Sequence, residues 1–141
     1  MMRTAILDAN VVLSGLKSKS GSPFRVLQAL EDERFEIAIS VPLVLEYESV
    51  LSKHLDRAIF TDEDIRDFID YLCRIGRPTE IYYLWRPILK DPFDDHVLEV
   101  AVASESPYIV SYNKKDFRAA KSFGIEIVSP FEFLKTLGGN T

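Results

Sequence analysis

Short apolar runs alternate along this chain with longer stretches in which apolar positions recur every three or four residues, the signature of strands separated by helices. Arg3 to Asp8 reads as a buried strand that ends in an acid. Ala9 to about Lys17, carrying Val11, Val12, Leu13 and Leu16, starts a helix. After the loop Ser18 to Ser22, Ser22-Pro23 opens a helix to about Glu33, with proline in the first turn and Phe24, Val26, Leu27 and Leu30 on its apolar face. Phe35 to Ser40 is the second strand, and a helix follows through Leu43, Leu45, Tyr47, Val50 and Leu51. Thr61, with Asp62, Glu63 and Asp64 behind it, caps a helix to about Ile75. The β-branched and aromatic run Glu80 to Trp85 predicts a third strand. A helix from about Asp94 to Ser104, a strand at Tyr108 to Ser111 and a helix from about Lys115 to Ser122, stopped at Gly124, come next. Ile125 to Val128 is the last strand, and Pro130 to Leu137 a closing helix before a short flexible tail from about residue 138.

Strands that alternate with helices predict an α/β fold whose parallel sheet is covered on both faces. In such folds ligands bind outside the carboxyl ends of the strands. Asp8 stands at one such end, and the segments bearing Asp94 and Asp116 flank two more.

The length, 141 residues, with 47% hydrophobic and 28% charged side chains, predicts one globular domain over residues 1–141. The single cysteine, Cys73, excludes an internal disulfide framework; among Phe68, Ile69, Tyr71 and Leu72 it reads as a core thiol. The first residues do not read as a signal peptide, because their apolar stretch is short and holds Asp8 and Asn10. No window approaches the length of a membrane span, and the expected location is the cytoplasm. A net charge of −5 argues against a protein that holds nucleic acid by its overall field. It leaves a nuclease open, since carboxylates gathered around a cation are offset locally.

The candidate chemistry is acidic. Asp8 closes a strand and precedes Asn10; the ordinary alternative is an N-cap for the next helix. Glu46 sits between Leu45 and Tyr47 on a helix, where most glutamates are solvated, and Glu48 is the one expected to face water. In Asp91-Pro92-Phe93-Asp94-Asp95 one acid caps the following helix. Asp94 has Val97, Leu98 and Ala101 at i+3, i+4 and i+7, which puts it near the inward stripe, where a carboxylate is costly unless paired or bound to a cation. Asp95 is its alternative, and His96 reads as a surface residue. Asp116 follows Asn113-Lys114-Lys115 after the fourth strand, where a helix cap is the plain reading. Lys114, Lys115, Arg118 and Lys121 form either a solvated face or a phosphate-holding one. Carboxylates distant in sequence that converge in space make an oxygen-rich site for Mg²⁺ or Mn²⁺.

The ordered set of segments around Asp8, Glu46, Asp94 and Asp116, closed by Ser129-Pro130-Phe131-Glu132-Phe133-Leu134, resembles the PIN-domain family. The likeness is specifically to the toxin-like branch of bacterial and archaeal toxin–antitoxin pairs, and it spans nearly the whole chain. It implies a three-layer α/β/α sandwich around a parallel sheet and a metal-dependent endoribonuclease. Asp8, Glu46 and Asp94 match the three acidic positions, and Asn10 a polar residue that supports the first. Where many members have Thr-x-Asp, this chain reads Ser111-Tyr112-Asn113, with Asp116 three residues on; Ser111 matches the threonine in kind and Asp116 takes the fourth acidic place. The resemblance implies that Asp8, Asp94 and Asp116 hold Mg²⁺ or Mn²⁺, with Glu46 as ligand or base, Asp95 and Asn113 in support, and Lys114, Lys115 and Arg118 on RNA. It also implies an antitoxin partner and allows a homodimer.

Two other classes compete. A phosphatase of the haloacid-dehalogenase kind wants a second Asp two residues after the first, where this chain has Asn10, and a receiver domain wants an acceptor Asp after the third strand, where Trp85 leads into Arg86-Pro87. A catalytically degenerate PIN domain that binds RNA or protein is favoured by Asn113 alone.

Overall fold

The computed structural model describes residues 3–80 and 92–138, and of residues 92–95 and 115–119 the backbone only. Five parallel strands, β1 (Thr4–Leu7), β2 (Glu36–Ile39), β3 (Arg77–Pro78), β4 (Tyr108–Val110) and β5 (Glu126–Val128), form one sheet in the order β3-β2-β1-β4-β5. The chain builds outward from β1 to β2 and β3, then returns to β1's other side for β4 and β5. In register, Ala5 faces Ile37 on one side and Tyr108 on the other, and Val110 pairs with both Leu7 and Val128. The reversal of winding falls at the carboxyl end of β1, the place at which sheets of this kind bind ligands.

The helices are α1 (Ala9–Lys17), α2 (Ser22–Glu31), α3 (Val41–His54), α4 (Asp62–Ile75), α5 (Pro92–Ala103) and α6 (Pro130–Thr136), with a 3₁₀ helix at Lys114–Phe123. Right-handed crossovers put α1 to α4 on one face of the sheet and α5 with the 3₁₀ helix on the other. The packing agrees. α1 lies against α2 and α3, and α3 against α4, while α5 crosses β1, β2 and β4 and meets the 3₁₀ helix. Ile6, Leu7, Ile37, Ile109 and Val110 are fully buried between the layers. Such parallel strands need apolar residues on both faces, which is why β1 and β4 read as continuous apolar runs.

Local chemistry fixes the element starts. Ser40 accepts from the Leu43 amide to begin α3. Thr61 with Asp64, and Ser129 with Glu132, make reciprocal capping boxes for α4 and α6. Gly124, at φ +76, ends the 3₁₀ helix in the left-handed conformation that favours glycine.

Three expectations change. The strand after α4 is Arg77–Pro78, which pairs with Ala38 and Ile39. Proline donates no ladder hydrogen bond, so this pair suits an edge and carries no strand signature in sequence. Of the strand expected over residues 80–85, Glu80 is in no strand and the rest lies outside the described residues. The helix expected at Lys115 to Ser122 is 3₁₀ rather than α. Cys73 is exposed. The buried stripe of α4 is Ile65, Ile69 and Leu72, and Cys73 sits at its margin. There it opens on an apolar cavity of about 530 Å³ that Ile39, Val44 and Leu45 also line. Among the described residues no helix is long and apolar enough to cross a membrane.

Candidate metal centre at the switch point

Asp8 is the residue after β1, and its amide donates to Val110 O at 3.0 Å, so the strand pairing continues up to it. Its backbone carbonyl takes the first amides of α1, from Val11 and Val12. The side chain makes no capping bond, so the capping reading fails. The carboxylate is instead buried, 6% exposed, and accepts from Ser111 Oγ at 2.7 Å. Ser111 is the matching residue after β4: its own amide donates to Val128 O at 2.9 Å, and its Oγ accepts from the Asn113 amide at 3.0 Å. Adjacent strands thus place Asp8 and Ser111 in register, and a pair 103 residues apart meets because β1 and β4 are neighbours.

Glu46 arrives from α3. Its neighbour Tyr47, fully buried, donates its hydroxyl to Leu7 O at 2.6 Å and so fastens α3 to the end of β1, one residue from Asp8. Glu46 is half-buried and its Oε2 is sealed from water without an aligned hydrogen bond. His96 Nε2, from α5, stands 3.3 Å from that oxygen. The electrostatics tie these groups together. Burial pushes the Asp8 carboxyl above its ordinary range; the negative charge of Glu46 adds to this, while Ser111, the Ala9 amide and His96 oppose it. Burial, reinforced by the charges of Asp8 and Glu46, pushes the Tyr47 phenol well above its ordinary value, so it remains a donor.

Two carboxylates crowded in a buried place, one driven toward protonation and the other with an unserved oxygen, suit a hard divalent cation. The donor set is oxygen throughout, as Mg²⁺ and Mn²⁺ prefer. Among the described residues no group of three or more His, Cys, Asp or Glu side chains is gathered closely enough to hold a metal. The first turn of α5 carries Asp94 and Asp95, and the 3₁₀ helix carries Lys115, Asp116 and Arg118; these side chains lie outside the described residues.

The remaining expected residues divide. Ser111 joins Asp8 directly. Asn10 is exposed on the first turn of α1, and Asn113 is exposed at the start of the 3₁₀ helix, touching the site through its backbone amide. Lys114 is paired with Glu132 at 2.7 Å, and that ammonium, helped by the Ser129 amide, holds the Glu132 carboxyl at about 2. Glu48 is exposed, as expected.

His96 overturns the sequence reading. It is buried, 7% exposed, not a surface residue. His96 heads the run Val97-Leu98-Glu99-Val100-Ala101, buried throughout, and apolar positions on successive faces of a helix leave it no wet side there. In the sequence Tyr47 reads only as an apolar helix position. Its place on the stripe Leu43-Tyr47-Leu51 implied a buried hydroxyl that had to find an acceptor.

Fold and site together define an α/β protein with an acidic centre at the turning point of a five-stranded parallel sheet, residues of β1, β4, α3 and α5 converging there. The chain belongs to the PIN domain family, whose sequence profile matches residues 4–115. Among solved structures it is similar to VapBC2 from Rickettsia felis, determined with a DNA fragment from its promoter. That likeness has 16% identity and a TM-score of 0.59, and covers 88% of this chain and 98% of the other. It is also similar to FitAB bound to an IR36 DNA fragment, at 15% identity and a TM-score of 0.63, covering 90% and 95%. At these identities the likeness is one of fold. No curated protein matches the sequence.

Proposed function

We propose that the protein is a metal-dependent endoribonuclease of the toxin-like PIN branch. The observation that carries this reading is the buried Asp8 carboxylate at the switch point, held by Ser111 and facing the charge of Glu46. Membership of the PIN family supports nuclease chemistry.

Asp8, Asp94 and Asp116 hold one or two Mg²⁺ or Mn²⁺ ions, with Asp95 in support. A bound ion lowers the pKa of water and offsets charge on the scissile phosphate. Ser111 fixes Asp8 by hydrogen-bonding one of its oxygens. Glu46 accepts a proton from the attacking water or orients it. Lys115 and Arg118 hold the flanking phosphates, and Lys114 joins them when it leaves Glu132. Tyr112, 56% exposed and next to Ser111, offers a flat face to an unpaired base, which favours single-stranded RNA. In-line attack leaves a 5′-phosphate and a 3′-hydroxyl, and no protein nucleophile is needed.

The likeness to VapBC2 and FitAB, each solved on DNA, supports an antitoxin as a second chain in the assembly and the cytoplasm as its location. The test is cleavage of a labelled single-stranded RNA with Mn²⁺, with Mg²⁺ and with EDTA, by this protein and by Asp8→Asn. Metal-dependent cleavage lost in the variant supports the reading. Absence of cleavage, with no thermal shift from either ion, leaves a PIN domain that only binds.

A further inference from the structure

We propose that His96 is a positioning residue for Glu46, an inference that rests on the nuclease reading above. His96 Nε2 and Glu46 Oε2 stand 3.3 Å apart, and Oε2 is buried with no aligned hydrogen bond. His96 Nδ1 is buried with no partner either. A buried carboxylate oxygen left unserved is costly, and a small rotation of the imidazole brings the Nε2–H onto it. With the proton on Nε2, Nδ1 is a bare acceptor, so no N–H is orphaned. His96 is only 7% exposed, which leaves its ring little freedom to change rotamer.

The consequence is directional. Glu46 rides on α3 and His96 on α5, from opposite faces of the sheet, so their pairing fixes the carboxylate against both layers. With Oε2 engaged by His96, Glu46 keeps one oxygen to serve as a single-oxygen ligand or acceptor. Partners that orient a ligand from outside the metal's own shell typically matter 10–100-fold to metal affinity or activity.

The test uses His96→Leu, which keeps the volume and removes the donor, and His96→Gln, whose side-chain amide carries a donor near the place of Nε2. Both are made in the natural chain and on Glu46→Gln. Two quantities are read: kcat and KM for RNA cleavage, and the Mn²⁺ concentration that half-saturates the thermal shift. We expect His96→Leu to lower kcat about 10–100-fold at unchanged KM and to raise the Mn²⁺ midpoint by a similar factor. His96→Gln restores most of both, and on Glu46→Gln the leucine variant adds nothing further. Glutamine as deficient as leucine, or leucine and Glu46→Gln effects that multiply independently, overturns the assignment. If His96→Leu does not fold, His96→Ala takes its place in the same comparison, and effects independent of Glu46→Gln reject the pairing. A natural protein that binds Mn²⁺ without cleaving refutes the nuclease reading, while the midpoints still judge His96. One that neither binds nor cleaves overturns both.

Discussion

Ser111→Ala probes the site through one hydroxyl. Ser111 is fully buried and bridges two groups, donating to Asp8 Oδ2 at 2.7 Å and accepting from the Asn113 amide at 3.0 Å. A hydrogen bond to a charged group contributes about 1.5–3 kcal/mol and one to a neutral amide about 0.5–1.5 kcal/mol. The Asn113 bond is nearer solvent, so water replaces much of it, and the loss at neutral pH comes to about 2–3 kcal/mol. For 141 residues a loss of 1 kcal/mol lowers Tm by about 3 °C, so the variant melts about 6–9 °C below the natural protein. The deficit depends on pH with a definite sign. Burial already raises the Asp8 carboxyl, so its stabilising contribution is complete at low pH, where it is protonated, and is lost as pH rises through its folded value. Removing Ser111 takes away the largest opposing influence and raises that value further. The gap between variant and natural protein is therefore widest at neutral pH and narrows on acidification. Melting curves of the two proteins across the acidic range, without metal, measure it. A gap below about 1 °C at neutral pH, or one that stays constant as pH falls, refutes the assignment of this bond to the charged carboxylate.

Other perturbations follow from the same geometry. Tyr47→Phe removes the 2.6 Å bond to Leu7 O and strands a buried carbonyl, costing about 1–3 kcal/mol in chemical denaturation. Because Tyr47 fastens α3 beside Asp8, the variant also needs more Mn²⁺ for its thermal shift; an unchanged midpoint would show that α3 is held by packing alone. Tyr112→Ala, on an exposed residue, leaves Tm within about 1 °C and weakens single-stranded RNA binding by about 1–3 kcal/mol, read by fluorescence anisotropy. Equal affinity of variant and natural protein would remove Tyr112 from the substrate path.

Strands and helices that announce themselves by period came through: α1 spans Ala9–Lys17 as its apolar spacing required, and Thr61 and Gly124 cap and stop their elements. Asp8 and Ser111 were legible as candidates, but not as partners, because only the neighbouring of β1 and β4 brings together residues 103 positions apart. Arg77–Pro78 escaped because an edge strand of two residues is made by its neighbour's ladder and not by its own propensity. Cys73 is exposed and His96 buried, the reverse of what their sequence neighbours suggest, because burial is set by the helix faces that neighbouring elements cover. α4 is covered along one stripe, and α5 is buried on every side from His96 to Ala101.

The central claim is that Asp8 anchors a cation site, with Glu46 beside it, that serves RNA cleavage. Asp8→Asn tests it most directly, since the amide keeps the shape and removes the buried charge that resists folding. Measured side by side, the variant melts no lower than the natural protein without metal, gains nothing from added Mn²⁺, and cleaves no RNA. A variant that still gains stability from Mn²⁺ and cleaves at the natural rate would contradict the account.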